Sequence, residues 1–291
     1  EMQRSLVGSE MCIRDRYTEI MEHKSLFGYL TNGVVHFPHC YFRTVHGEYY
    51  ASNMEQLSFD QAIAACLDAD RFVIKDSLGG SGGKGIEILK LEGKTSVEKA
   101  DIIKRSVAQR KTDYVVQEFL YEHDLLKQFN QTSVNTIRVQ SLYLNGKFSA
   151  VTIILRFGGE GAEVDNACSG GVAVGIHPDG TLFEYGYDNQ ANQYDRKGNI
   201  IFKETKLPFI PDLIKHVEEA HKHQFPLCKY IGWDMIIDRN GKPVCIEINS
   251  CQNGHLTFQL SAGPTFGERT QEVIDYCKTK KLYFNKALFK Y

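Results

Sequence analysis

Apolar and polar residues alternate with a period of two in several short stretches of the chain, and this pattern predicts β-strands. The dipeptides His46-Gly47, Asn145-Gly146 and Asn240-Gly241 are typical of tight turns, so they predict antiparallel hairpins. The predicted strands cover residues 34–37, 40–45, 48–51, 72–74, 86–91, 114–120, 136–144, 147–157, 172–177, 231–238 and 243–249.

Apolar residues spaced three and four apart predict helices between these strands. Ser58 and Ser96 are the predicted N-caps of two of them. Residues 186–206 are polar and rich in Tyr, Asn, Asp and Gly, so an irregular surface segment is expected there. The predicted helices cover residues 17–31, 58–68, 96–110, 211–223 and 265–278.

The order of these elements predicts an α+β fold with mostly antiparallel sheets. No internal repeat or low-complexity linker divides the chain. Residues 17–116 are expected to form a smaller lobe, and residues 117–291 a larger one. A cleft between two lobes is a common place for a ligand, so the candidate site is expected there.

A glycine-rich turn joins the predicted strands 72–74 and 86–91. It contains five glycines, a serine and Lys84, and Lys75 precedes it on the first strand. Glycine lets backbone N–H groups approach an anion closely, so the turn suits a polyphosphate. A Walker loop and a dinucleotide fingerprint are both excluded, because each requires a helix after the turn. The alternative is a surface hairpin that binds no ligand.

Three oxygen-bearing side chains lie on the last predicted hairpin. Glu247 and Asn249 are two residues apart on one strand and face the same side, and Asp234 can face them from the paired strand. Two carboxylates and an amide oxygen are hard ligands that suit Mg²⁺. The alternative is the ordinary polar face of an amphipathic strand.

Two arginines lie in apolar surroundings on neighbouring predicted strands. Arg138 is flanked by Ile137 and Val139, and Arg156 by Leu155 and Phe157. A buried guanidinium requires an anionic partner. A phosphate or a substrate carboxylate would serve, and an internal salt bridge is an equal alternative for either arginine.

Net charge, the length of apolar runs and the spacing of cysteines exclude some classes of function. The net charge of −2 gives no electrostatic basis for binding nucleic acid or an anionic membrane. No apolar run reaches the length of a membrane span. The eight cysteines are scattered and form no C-x-x-C pair, which favours free thiols in a reducing cytoplasm over a zinc site or disulfides. No feature predicts an oligomeric state.

The first residues differ in character from the rest. Residues 1–16 show no clear period and no signal-peptide pattern, and they resemble a translated sequencing adapter. They are therefore expected to be a non-native leader, with the native sequence starting near Tyr17.

Taken together, the motifs resemble the ATP-grasp family, over residues 72–279. Four of them occur in the family's order: the lysine strand with its glycine-rich turn, residues 115–120, residues 134–139, and Asp234 followed by residues 247–249. Within the family, residues 133–138, 155–158 and 164–171 are similar to those of the sugar-transfer-associated members. The resemblance implies two α+β lobes with a nucleotide cleft between them.

The resemblance also implies nucleotide contacts at matching positions. Lys75 would contact the α- and β-phosphates, and an acidic residue after the hinge, Asp124 or Glu122, would contact the ribose. The turn that closes over the phosphates consists of Gly80, Ser81, Gly82, Gly83 and Lys84. The interlobe hinge, whose backbone faces adenine, consists of Gln117, Glu118, Phe119 and Leu120.

The resemblance further implies the chemistry of the site. Asp234, Glu247 and Asn249 would hold Mg²⁺. The γ-phosphate and the acyl-phosphate transition state would be stabilised by Arg138, Arg156 and Asn166.

The implied activity is an ATP- and Mg²⁺-dependent carboxylate–amine ligase acting through an acyl-phosphate, on a small molecule, glycan or peptide in cell-surface polysaccharide modification. The alternatives are a glutamate-type amino-acid ligase and a non-catalytic nucleotide-binding module. Family members usually carry a further N-terminal domain that helps to bind the acceptor. Only its last part, or none of it, is expected here.

Overall fold

Two antiparallel sheets form the frame of the structure, a computed structural model that describes residues 23–30, 35–79, 85–159, 171–250 and 256–279. Every strand pair in these ranges is antiparallel. The predicted α+β fold with antiparallel sheets is therefore confirmed.

The first sheet has six strands in the order β3-β2-β1-β6-β4-β5. Helices α2 (Phe59–Ala64) and α3 (Ser96–Ala108) cover one of its faces and bury Phe42, Phe72 and Ile103 there. The strands are β1 (Cys40–Val45), β2 (Glu48–Tyr50), β3 (Gln56–Leu57), β4 (Arg71–Asp76), β5 (Ile86–Lys90) and β6 (Tyr114–Glu118).

The second sheet has seven strands in the order β11-β10-β9-β8-β7-β14-β15. Its strands are β7 (Thr136–Leu144), β8 (Lys147–Phe157), β9 (Val172–Ile176), β10 (Leu182–Tyr187), β11 (Gln193–Tyr194), β14 (Tyr230–Ile237) and β15 (Pro243–Asn249). A separate short pair consists of β12 (Arg196–Lys197) and β13 (Ile200–Ile201).

Helices cover both faces of the second sheet. On one face, α5 (Ile210–Gln224) packs Leu213 and Val217 into a core that contains Trp233. On the other face, α6 (Leu256–Ala262) brings Phe258 against Ile154. The remaining helices are α1 (Lys24–Leu30), α4 (Asp124–Lys127) and α7 (Thr270–Thr279). None of the helices in the described ranges is long and apolar enough to cross a bilayer.

Local capping explains where α2 and α3 begin. Ser58 forms a capping box with Gln61, as the sequence predicts. Helix α3 also begins with a capping box, but its cap is Thr95 and the reciprocal partner is Glu98, so the predicted cap at Ser96 is wrong. Ser96 is instead the first helical residue.

The sequence analysis did not predict four elements, β3, α4, β10 and α6, and three predicted segments differ from the structure. Residues 35–39 form no strand, and the backbone carbonyl of His36 instead accepts a hydrogen bond from Cys245 N, at 2.8 Å. The helix predicted over 265–278 begins at Thr270, after a 3₁₀ turn. The segment predicted as irregular, 186–206, contains the short strands β11, β12 and β13.

The N-terminal helix α1 belongs to the core of the second sheet. Phe27 is buried and stacks on Phe225, and it meets Phe37 edge to face. The first sheet itself extends to Glu118, two residues beyond the predicted lobe boundary at 116. The division of the chain into residues 17–116 and 117–291 stays a prediction.

The turn before β10 gives a test of backbone packing. Gly180 has a φ of +92°, and a Cβ added there would lie 2.1 Å from the Leu207 carbonyl oxygen. We expect Gly180→Ala to lower the free energy of unfolding by about 2 kcal/mol or more, through both strain and steric conflict. Urea unfolding measures this change in the free energy of unfolding. Gly93→Ala is the control, because Gly93 has a φ of +73° but no atom within 4 Å of such a Cβ. Equal losses would show that the Leu207 carbonyl imposes no constraint.

Candidate functional site

A row of charged side chains crosses four strands of the second sheet. Glu247 on β15 pairs with Asp234 on β14, and Asp234 pairs with Arg138 on β7. Residues that lie opposite each other on paired strands point to the same face of a sheet. Arg156 joins this row from β8, because its partner Thr136 is two residues from Arg138.

Asp234 is the centre of this row and is buried, with 3% of its surface exposed. Arg138 binds it through two hydrogen bonds, of which Nη2 to Oδ2 is 2.5 Å. Arg156 Nη2 donates to Asp234 Oδ1 at 2.9 Å, and Asn249 Nδ2 donates to Oδ2 at 3.2 Å. Burial alone would raise the pKa of Asp234, but the two guanidinium charges outweigh burial and lower it.

The expected magnesium ligands lie together, although their present partners differ. Glu247 is partly exposed and pairs with Lys24, with 3.2 Å between Nζ and Oε1. Asn249 uses its amide nitrogen on Asp234, which leaves its carbonyl oxygen as the atom that can meet a cation. Within the described residues no three His, Cys, Asp or Glu side chains form a metal-ligand group. Glu247 and Asn249 therefore fit Mg²⁺ as oxygen donors, whereas Asp234 is occupied by arginine.

Two lysines face this row from outside the second sheet. Lys75 on β4 is buried and lies close enough to Glu247 and Asp234 to feel their charges. Burial lowers the pKa of Lys75, the carboxylate of Glu247 opposes that shift, and the ammonium of Lys24 adds to it. Lys24 also donates to the Gly79 carbonyl, at 3.1 Å. The site is thus formed by residues of both sheets and of α1.

The glycine-rich turn is described only at its two ends. Gly80, Ser81, Gly82, Gly83 and Lys84 lie outside the described residues, and so does Asn166. At the base of the turn, Arg110 donates to Asp76 at 2.6 Å, to Glu87 at 3.1 Å and to the Gly85 carbonyl at 3.3 Å. These bonds hold together the ends of β4 and β5, the strands that lead into and out of the turn.

A cleft of about 570 Å³ lies beside the segment that follows β6. Phe119 and Leu120 line it, as the hinge prediction requires, together with Arg71 and Lys90 of the first sheet. Ser133 also lines it, and its buried hydroxyl has no hydrogen-bond partner. The cleft has the volume of a small-molecule site and an unsatisfied polar group for a ligand.

The other predicted nucleotide-binding residues lie elsewhere. Gln117 lines a second pocket, on the side of α1, and the Glu118 carboxylate accepts from His39 N at 2.7 Å. Asp124 is exposed on α4 and is not among the residues that line the cleft. Glu122 does line it, while its carboxylate binds Asn135 at 3.0 Å. The structure therefore favours Glu122 over Asp124 as the acidic residue of the cleft.

Two site residues were missed by the sequence analysis. Lys24 lies in a helix whose pattern shows only an apolar face, and nothing marks it as a ligand. Ser133 was noted only as part of a motif, because a hydroxyl without a partner is visible only in three dimensions.

The sequence model described as sugar-transfer associated ATP-grasp matches residues 12–275. Among solved structures, a biotin carboxylase domain of 2-oxoglutarate carboxylase from Hydrogenobacter thermophilus, in complex with MgADP, ADP and bicarbonate, is similar, with a TM-score of 0.53 and 15% identity. The match covers 92% of this chain and 48% of that one. A biotin carboxylase–β,γ-ATP complex from Campylobacter jejuni has a TM-score of 0.51 and 12% identity, over 91% of this chain and 47% of that one.

These similarities show a shared fold. The chain spans about half the length of the biotin carboxylase chains that it matches. No curated protein sequence matches it.

Proposed function

Because the chain belongs to the sugar-transfer-associated ATP-grasp family, we propose that it is an ATP- and Mg²⁺-dependent ligase that activates a carboxylate as an acyl-phosphate. The observation that carries this proposal is the meeting of cations from both sheets and α1 at one row of carboxylates. Among the described residues, the two carboxylates of Asp234 and Glu247 meet three cations, Lys24, Lys75 and Arg138.

An excess of buried positive charge requires an anion. The desolvated ammonium of Lys75 and the fork of Arg138 are typical of groups that bind phosphate oxygens. A triphosphate that enters here would restore the charge of Lys75, which burial disfavours. It would also compete with Asp234 for the two arginines, and so release the Asp234 carboxylate toward a cation.

The nucleotide is proposed to extend from this row into the cleft of about 570 Å³. Its adenine would lie against Phe119 and Leu120, and the hydroxyl of Ser133 would gain a hydrogen-bond partner there. Glu122 would face the ribose. Both solved biotin carboxylases named above hold adenine nucleotides, which supports an adenine nucleotide as the ligand.

The proposed reaction has two steps. An oxygen of the acceptor carboxylate attacks the γ-phosphorus, the bond to the β,γ-bridging oxygen breaks, and ADP leaves with that electron pair. An amine then attacks the acyl carbon, inorganic phosphate leaves, and the amine loses a proton to give the amide. The chain's residues position the reactants and stabilise charge rather than form covalent bonds.

Each charged residue has a role in this scheme. Lys24 and Lys75 would bind phosphate oxygens, and Arg138 and Arg156 would stabilise the charge on the transferred phosphoryl group. Glu247 and Asn249, with Asp234 once the arginines turn away, would hold Mg²⁺. The ion would neutralise phosphate charge when it is bound.

The acceptor is proposed to be a carboxylate of a cell-surface polysaccharide precursor or of a peptide linked to it. The family's description as sugar-transfer associated supports this class. A cytoplasmic location fits the supply of ATP, and the described cysteines Cys40, Cys66, Cys228, Cys245 and Cys277 are free thiols.

Calorimetric titration of ATP, with and without Mg²⁺, tests the nucleotide site. We expect Mg²⁺-dependent binding that Lys75→Ala weakens by roughly 10- to 100-fold, because a charge-assisted contact to phosphate is lost. Lys90→Ala, on the cleft wall away from the carboxylate row, is the matched control and should change affinity less. Unchanged ATP affinity in Lys75→Ala would contradict the site.

A further inference from the structure

A second pocket, of about 520 Å³, is lined by Lys24, the residue that pairs with the Glu247 carboxylate. Phe37 and Pro38 form an apolar part of its wall, and Ser52 and Asn53 lie at one edge. None of the described residues that line it is acidic. The volume is within the ordinary range for small-molecule sites.

Strand register places this pocket next to the candidate phosphate site. Val115 on β6 pairs with Lys75 on one side and with Arg43 of β1 on the other. Arg43 and Lys75 therefore point to the same face of the first sheet, two strands apart. Two strand spacings amount to about 10 Å. Lys24 connects the two places, since it lines the pocket and also pairs with Glu247.

Arg43 is a buried cation that faces no carboxylate partner within the part of the chain that the structure describes. Only 3% of its surface is exposed, and it lines the pocket. One Nη donates to the Ser25 carbonyl at 2.6 Å and the other to the Ser52 carbonyl at 3.3 Å, but Nε has no hydrogen-bond partner. No carboxylate among the described residues forms an ion pair with it.

The nearest sulfur does not offset this charge. Cys40 lies beside Arg43, and burial raises the pKa of its thiol more than the guanidinium lowers it. The thiol is therefore neutral. An unpaired buried guanidinium is costly, and an unsatisfied buried N–H adds to that cost. Both costs disappear when an oxyanion binds in the pocket.

We propose that this pocket binds the acceptor of the ligase reaction, with a carboxylate of the acceptor held by Arg43 and Lys24 and its apolar body against Phe37 and Pro38. The inference rests on the proposed function and adds to it the place and the chemical class of the acceptor. Lys24 would be shared by the two substrates, and this would bring the carboxylate to the edge of the phosphate site.

The ¹⁵N resonances of arginine side chains test this proposal directly. The Nε–H signal of Arg43 is assigned by its absence in Arg43→Lys, which keeps the positive charge. The full chain is then titrated with sodium benzoate, a carboxylate on an apolar ring, against sodium chloride at equal ionic strength. We expect benzoate to shift the Arg43 signal saturably and chloride to leave it in place.

Two substitutions of Asn53, at the rim of the pocket, provide a charged variant and its neutral control. The Asn53 Oδ1 accepts a hydrogen bond from Glu55 N at 3.0 Å, and aspartate can keep this bond while adding a negative charge. We expect Asn53→Asp to weaken benzoate binding by about tenfold, and the neutral Asn53→Ser to leave it unchanged. ATP affinity, measured on the same samples, should be equal in all three proteins.

The remaining outcomes separate this inference from the proposed function. If ATP binds but benzoate does not move the Arg43 signal, the acceptor pocket is wrong and the ligase proposal stands. If inorganic phosphate or ATP shifts the signal as strongly as benzoate, Arg43 belongs to the nucleotide site and the acceptor pocket is again wrong. If benzoate binds and ATP does not, the ligase proposal fails and the acceptor assignment fails with it.

Discussion

Asp234→Asn is expected to lower the free energy of unfolding by about 3–5 kcal/mol, because it removes the charge that compensates two guanidinium groups in the second sheet. Arg138 is buried and bonded to both oxygens of Asp234, and Arg156 shares one of them. Asparagine has one acceptor oxygen and no charge. Urea unfolding followed by the fluorescence of Trp233, the only tryptophan of the chain, measures the loss.

Glu247→Gln is the matched control on the paired strand. The Glu247 side chain is 37% exposed and its partner is Lys24, so the change in unfolding free energy should stay within about 1 kcal/mol. Both variants are expected to lose Mg²⁺-dependent ATP binding, since both carboxylates belong to the proposed metal site. Equal stability losses in the two variants would show that Asp234 does not hold the arginines. Unchanged Mg²⁺ dependence would remove both from the metal site.

This contrast could not be predicted from the sequence, although the residues involved could. A two-residue period places Glu247 and Asn249 on one face, and a hairpin turn pairs their strand with that of Asp234. Which side chain neutralises Arg138 depends on the pairing of β7 with β14, whose residues are almost a hundred positions apart. Periodicity contains no information on such long-range register.

The sequence analysis missed strand β10 and the position of Lys24 for similar reasons. Strand β10, Leu182–Tyr187, has two consecutive exposed positions and a glycine, so its alternation is broken. Lys24 can pair with Glu247 because Phe27 of the same helix, α1, is buried in the core of the second sheet. The strands β7 and β8, by contrast, follow from their long alternating runs and from the Asn145-Gly146 turn, and their predicted limits are confirmed.

A second cluster of buried polar side chains lies against the opposite face of β14 and is centred on His221 of α5. His221 Nε2 lies 2.7 Å from the Cys228 carbonyl oxygen, which can only accept, so Nε2 bears the proton. Nδ1 therefore accepts from the Ser141 hydroxyl at 2.7 Å, and Ser141 Oγ accepts from Trp233 Nε1 at 2.7 Å. With His221 neutral, each donor of this hydrogen-bond network has an acceptor, and Ser141 Oγ also lies 3.4 Å from the Ile231 carbonyl oxygen.

Stability is accordingly expected to fall as the pH is lowered through the range in which an unfolded histidine gains its proton. Burial lowers the pKa of His221 to about 4, from an ordinary value of 6.5. The unfolded chain therefore binds more protons between these values. The contribution of His221 is complete above about pH 6.5 and decreases by about 3 kcal/mol toward pH 4. Urea titrations at several pH values, followed by Trp233 fluorescence, measure this slope.

The difference between wild type and His221→Gln isolates this residue, because burial also lowers the pKa of His23 and His216. The variant should be less stable than wild type at pH 8 and should lose less stability on acidification. His223→Gln, an exposed position on the same helix, should keep the wild-type slope. Equal slopes in all three would show that His221 does not resist protonation.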